Sequence, residues 1–150
     1  MSSSVRFENR AYRLPGVLLL IVSLTSCGGS GQVPVNRVSG KVLLGGNPAT
    51  GATVRFVPIQ PTAATAKLRP MSVVGEDGSY TLATYGYGDG APEGQYNVFI
   101  TWPTPDELTE PGEIPDDYRR LNETYGDRKK PKLRATVKKG DNEIPAFELK

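Results

Sequence analysis

The chain has no histidine among its 150 residues. That removes Ser-His-Asp and Cys-His catalysis, and zinc or iron sites built on imidazole. A single cysteine, Cys27, excludes an internal disulfide. Long apolar runs are also missing. The longest, Leu14 to Leu24, is well short of the ~20 residues a membrane-spanning helix needs. Charge of one sign is lacking as well. Of 18 Lys and Arg, three precede residue 27, and of 16 Asp and Glu, one does, so each sign keeps fifteen from there on. A neutral body has no long-range field to draw in nucleic acid, and no nucleic-acid partner is expected.

What the chain has in quantity is Gly (17) and Pro (13), together a fifth of its length. Glycine raises the entropy cost of a helix and proline removes a donor, so this density favours many turns between short strands. Apolar and polar residues alternate in Val38–Leu44, Thr53–Val57 and Leu133–Val137, the period of a half-buried strand. Met71–Gly75 and Tyr80–Thr84 read as strands joined in a hairpin by Glu76-Asp77-Gly78-Ser79, and Ile144–Leu149 reads as the last strand. Tyr96–Trp102 places Tyr96, Val98, Ile100 and Trp102 on one face. Residues 60–67 read as a surface loop. Residues 103–131 hold five prolines and most of the acids, so a long excursion is expected, with a short helix near Tyr118–Glu123. The pattern predicts an all-β, seven-stranded antiparallel β-sandwich of immunoglobulin-like size.

Residues 1–13 carry Arg6, Arg10 and Arg13, and an apolar core follows. A basic flank, a core of this length and small residues beyond it describe an export signal. Leu24-Thr25-Ser26-Cys27 resembles the bacterial lipobox. The resemblance implies cleavage before Cys27, diacylglycerol on its thiol and acylation, such as palmitate, of the new N-terminus. Two or three acyl chains, at ~0.8 kcal/mol per buried methylene, hold a protein where one would not. An ordinary signal peptide followed by an incidental cysteine is the alternative, and it would leave an exposed thiol. The domain reading is therefore 1–26 lipoprotein signal peptide, 27–35 lipidated Cys and glycine-rich flexible tether, and 36–150 the folded domain. Gly28 stands where enteric-type bacteria use Asp for inner-membrane retention. By that resemblance the cell envelope, with the outer membrane favoured, is the expected location, exposed to periplasm or cell surface.

Val38-Ser39-Gly40-Lys41-Val42, then Gly51-Ala52-Thr53-Val54-Arg55-Phe56, resemble the carboxypeptidase regulatory-like domain family. Asp77-Gly78-Ser79-Tyr80-Thr81-Leu82 and Gly94-Gln95-Tyr96-Asn97-Val98 extend the match. Gly88–Pro92, Ile114-Pro115 with Tyr118, and Val137–Asn142 resemble short lipoproteins of planctomycete-type bacteria. The resemblance covers residues 37–150 and implies a transthyretin-like (prealbumin-like) sandwich. It implies little about function, because each matched residue has a structural task.

The remaining candidates are few. Asp77, Asp89 and Asp141 lie in turns, where Asp accepts backbone N–H groups. A Ca²⁺ site would want several converging oxygens, and no D-x-D-x-D spacing is present. Asp116-Asp117 with Glu107, Glu110 and Glu113 could pair carboxylates for glycosidase work, but in a Pro-rich segment they read as solvated. Arg128–Arg134 and the acidic 106–117 segment read as oppositely charged loops, with a phosphate or anionic-lipid patch as the alternative. With Cys27 occupied by lipid, no thiol nucleophile remains. Tyr85 and Tyr87, set among glycines, are the candidate ligand-contact residues, while Trp102 is expected in the core. The expected role is a non-enzymatic structural or protein-interaction one, with no cofactor and no metal. Its partners are membrane lipid through Cys27 and an envelope protein. The alternative is a glycan- or peptide-binding module using the Tyr85–Ala91 loop. Oligomeric state is left open.

Overall fold

The structure, a computed structural model, describes residues 31–102 and 116–150. The signal segment, Cys27 and the 103–115 stretch lie outside the described residues. Eight strands and one helix follow in order: β1 (Val38–Leu44), β2 (Asn47–Pro48), β3 (Thr53–Pro58), β4 (Met71–Val73), β5 (Ser79–Thr81), β6 (Gly94–Thr101), α1 (Asp116–Tyr125), β7 (Leu133–Val137) and β8 (Asn142–Leu149).

The strands form two sheets. In the first, β1 is central: β8 lines one edge, and β5 and β2 share the other. In the second the order is β4-β3-β6-β7, antiparallel throughout. Alternation puts Val38 and Val42 of β1, Val54 and Phe56 of β3, and Ala135 and Val137 of β7 into one core shared by both sheets. Four aromatic side chains stitch it together. Phe56 lies 5.5 Å from Tyr96 and 6.5 Å from Tyr80 of the other sheet, and Tyr80 stacks on Phe147 at 6.5 Å. Burying a side chain of this size contributes about 1.5–3 kcal/mol, and such ring pairs add somewhat more.

Three expectations need correction. Among the described residues the strands number eight rather than seven, because Asn47–Pro48 forms a two-residue strand paired with Leu43 and Leu44. The sheets are not wholly antiparallel: β8 runs parallel to β1. Parallel pairing needs a long connection, and here almost the whole domain is that connection. The Glu76–Ser79 turn is present, with the Gly75 N–H on the Ser79 carbonyl, but its arms do not form an ordinary hairpin. β4 pairs with β3 and β5 pairs with β1, so the arms part into opposite sheets and meet again only at a Met71–Ala83 bridge. The Val74 N–H donates to the Ala52 carbonyl and draws the first arm away.

β8 carries a bulge. Gly40 pairs with Ile144 but Val42 pairs with Phe147, so β8 holds one extra residue opposite β1. Pro145 sits at that point, where a residue without an N–H belongs. The bulge lets Ile144 and Phe147, three apart, both enter the core.

The helix is longer than expected. Tyr118, Leu121, Asn122 and Tyr125 recur at the spacing of one helical face. Tyr118 stacks on Trp102 at 5.2 Å, Leu121 joins the core, and the Tyr125 hydroxyl accepts from the Lys150 N–H. The Asn122 side chain accepts from the Trp102 N–H (2.7 Å) and donates to its carbonyl (3.1 Å), completing the backbone pairing where β6 ends. α1 thus closes one end of the two sheets.

Candidate functional site

The opposite end gathers the loops of interest. Ser39 pairs with Thr81 and Val38 with Asn142, so the start of β1, the exit of β5 and the turn before β8 lie together. Gly94 opposite Val137 and Tyr96 opposite Pro58 bring the matching ends of the second sheet there. The chain enters the domain at this end.

The loop after β5 is built around one carboxylate. Asp89 accepts the N–H groups of Thr84 (2.7 Å), Tyr85 (2.9 Å) and Gly86 (2.9 Å). Desolvation pushes this carboxyl upward, but the three donors prevail and hold it below its ordinary value of 3.8. The Thr84 hydroxyl donates to the Gly90 carbonyl at 2.5 Å. Gly90 has φ +96°, and a Cβ there would collide with the Asn36 carbonyl. Asn36 and Ala91 exchange backbone hydrogen bonds. The loop is therefore fastened to the residues that lead into β1.

Tyr85 and Tyr87 play different parts. The Tyr85 hydroxyl accepts from the Val33 N–H at 3.1 Å, so its polar end is engaged by the segment expected as tether. Tyr87 is 102% exposed, a whole side chain standing in solvent on a braced loop. Trp102 belongs to the core at 4% exposure. Tyr96 is buried and donates to the Pro92 carbonyl at 2.6 Å, and burial pushes its phenol up to about 12.

The acidic candidates fall apart in space. Asp77 accepts from the Ser79 hydroxyl (2.6 Å) and N–H (3.0 Å), chiefly the former, and these hold it below its ordinary value. It sits at the α1 end of β5, away from Asp89. Asp141 lies in the exposed turn before β8. Asp117 pairs with Arg120 at 2.6 Å on the exposed face of α1, a pair worth little in water. Glu107, Glu110, Glu113 and the Asp116 side chain lie outside the described residues. Among the described residues no three acidic, histidine or cysteine side chains gather as metal ligands would.

Two features escaped the sequence reading. A groove of about 860 Å³ runs between the free edges of β7 and β8, lined by Arg134, Lys138, Glu143, Ile144 and Phe147 among others. Only the pairing of β8 with β1 exposes that edge, and no local signal announces it. The Asn122 clamp is a single polar residue, invisible to periodicity.

The sequence matches no family model and no curated protein. Among solved structures it is similar to a DUF3823 family protein from Parabacteroides merdae, at 13% identity over 78% of this chain, with a TM-score of 0.38. The match covers 46% of that protein, so this chain spans less than half its length. A likeness of this size carries no argument about function.

Proposed function

We propose that this chain is a lipid-anchored cell-envelope protein whose β-sandwich has a non-enzymatic structural or protein-interaction role. The observation that carries it is Leu24-Thr25-Ser26-Cys27 at the end of an apolar run with a basic flank, with the chain's one cysteine in the acylated place. Six residues beyond Cys27, Val33 is bonded to the Tyr85 hydroxyl of the domain. The domain is proposed to be of the carboxypeptidase regulatory-like, transthyretin-like kind, for which the Gly40–Tyr80 and Phe56–Tyr96 partnerships between matched motif residues speak. The outer membrane is the favoured site. Metabolic palmitate labelling tests the anchor: the wild type takes up label and Cys27→Ala does not. Label persisting in the variant would refute it.

A second reading, a glycan- or peptide-binding module on the Tyr85–Ala91 loop, draws on the exposure of Tyr87. Tyr85 keeps 40% of its surface exposed, and the Val33 N–H bond to its hydroxyl holds that side chain in place.

A further inference from the structure

The loop that carries Tyr87 is attached to the segment by which the chain enters the domain, and that fact assigns the loop a partner. Val33 is bonded to Tyr85, and Asn36 to Ala91. Six peptide units separate Cys27 from Val33, and at ~3.3–3.6 Å per residue they span at most about 22 Å. If Cys27 is acylated, as proposed above and on which this inference rests, the bilayer surface lies within that reach of Tyr85.

The same end has the chemistry of a headgroup-facing surface. Tyr87 is fully exposed, and tyrosine concentrates at the membrane interface, where its ring meets the acyl boundary and its hydroxyl meets water. The Asp89 hydrogen bonds hold the loop in place, so docking the ring orders little new chain. The same end carries Arg37 beside the entry and Lys138 and Lys139 in the turn before β8, all exposed. That turn is tied to the entry segment: the Gly140 N–H donates to Asn36 Oδ1, and Asn142 Nδ2 to the Arg37 carbonyl. Lys67 and Arg69 lie in the loop between β3 and β4, which leaves from this end. These five cations share this end with Asp89, Glu93, Asp141 and Glu143, and Asp89 is held by its backbone donors.

The geometry points to a membrane-facing foot: Tyr87, with Arg37, Lys138 and Lys139 at the same end of the domain, rests on an anionic lipid surface and fixes the orientation of the tethered domain, with α1 turned outward. Basic side chains near such a surface are drawn to it within about a Debye length.

The test uses the lipidated chain in vesicles containing anionic phospholipid. With Cys27 acylated, an introduced cysteine is the sole free thiol. Gly86→Cys is suitable, since nothing lies within 4 Å of its Cβ position, and Glu123→Cys on exposed α1 is the distal control. Each is labelled with bimane and exposed to headgroup-nitroxide lipid. Strong quenching at 86 with little at 123 is expected. That difference should be lost in neutral vesicles, in Tyr87→Ser, and in Arg37→Ser/Lys138→Ser/Lys139→Ser. Equal quenching at the two positions overturns the orientation. Quenching at 86 that Tyr87→Ser leaves unchanged overturns the foot and leaves the loop to a soluble glycan or peptide. Vesicle flotation of the same samples separates the two claims. Protein that floats but shows no difference refutes this inference alone, whereas protein that does not float refutes the anchor and the foot with it.

Discussion

Replacing Gly40 with alanine should destabilise the domain through one identifiable side chain. Gly40 faces the core in the middle of β1, where Tyr80 is its cross-strand partner. A Cβ at Gly40 would lie 2.7 Å from the Tyr80 hydroxyl oxygen and 2.9 Å from two ring carbons. The ring cannot simply retreat. It is 3% exposed, with Phe147 stacked on it and Phe56 tilted against it. Overpacking of this kind costs about 1–3 kcal/mol. The Tyr80 hydroxyl is itself buried and finds no hydrogen-bond partner among the described residues. Burial pushes its phenol well above the ordinary value. Removing an unpaired buried hydroxyl recovers desolvation of up to about 1–3 kcal/mol, so Tyr80→Phe should be neutral or stabilising. The double variant removes the nearest clashing atom and leaves the two ring carbons. It should recover part of the Gly40→Ala loss, with a coupling of about 0.5–1.5 kcal/mol. Urea unfolding of the four proteins, compared at equal m, measures this directly. A Gly40→Ala variant within about 0.5 kcal/mol of wild type, or strict additivity in the cycle, would refute the reasoning.

Other expectations follow from the same contacts. Asp89 has a folded-state pKa below its ordinary 3.8, so its stabilisation is present in full above that value and is lost as pH falls through the folded one. Asp89→Asn, at a site open to solvent, should cost about 0.5–1.5 kcal/mol near neutrality and flatten the loss of stability below about pH 4, leaving the part due to Asp77. A pH series of urea midpoints measures it, and an unchanged acid slope would contradict the loop account. Asn122→Ala orphans the N–H and carbonyl of Trp102 and should cost about 1–3 kcal/mol. Hydrogen exchange should show α1 opening before the sheets do, and protection equal to wild type would count against the clamp.

How far the fold was legible follows from where the information lies. β1 and β7 could be read at their observed bounds because alternation along a half-buried strand is a local property. Register and partners are not local. The parallel pairing of β8 with β1 joins the two ends of the domain, and the Pro145 bulge shifts Ile144 and Phe147 off period two. The Glu76–Ser79 turn was visible in its glycine, but the parting of its arms depends on Val74 reaching Ala52. α1 outran its sequence signal because Asp116, Asp117 and Thr124 at its two ends are poor helix formers, and tertiary contacts on Trp102 and Lys150 override them. At the candidate site, glycines flagged the Tyr85–Ala91 loop as open. The bond between the Tyr85 hydroxyl and Val33 spans 52 residues, and no local signal announces it.

The most direct test of the whole account is intact mass and N-terminal peptide analysis of the mature protein from its own envelope. The expected N-terminus is Cys27, carrying a diacylglyceryl thioether. A mature chain that starts elsewhere and bears an unmodified Cys27 thiol would contradict it.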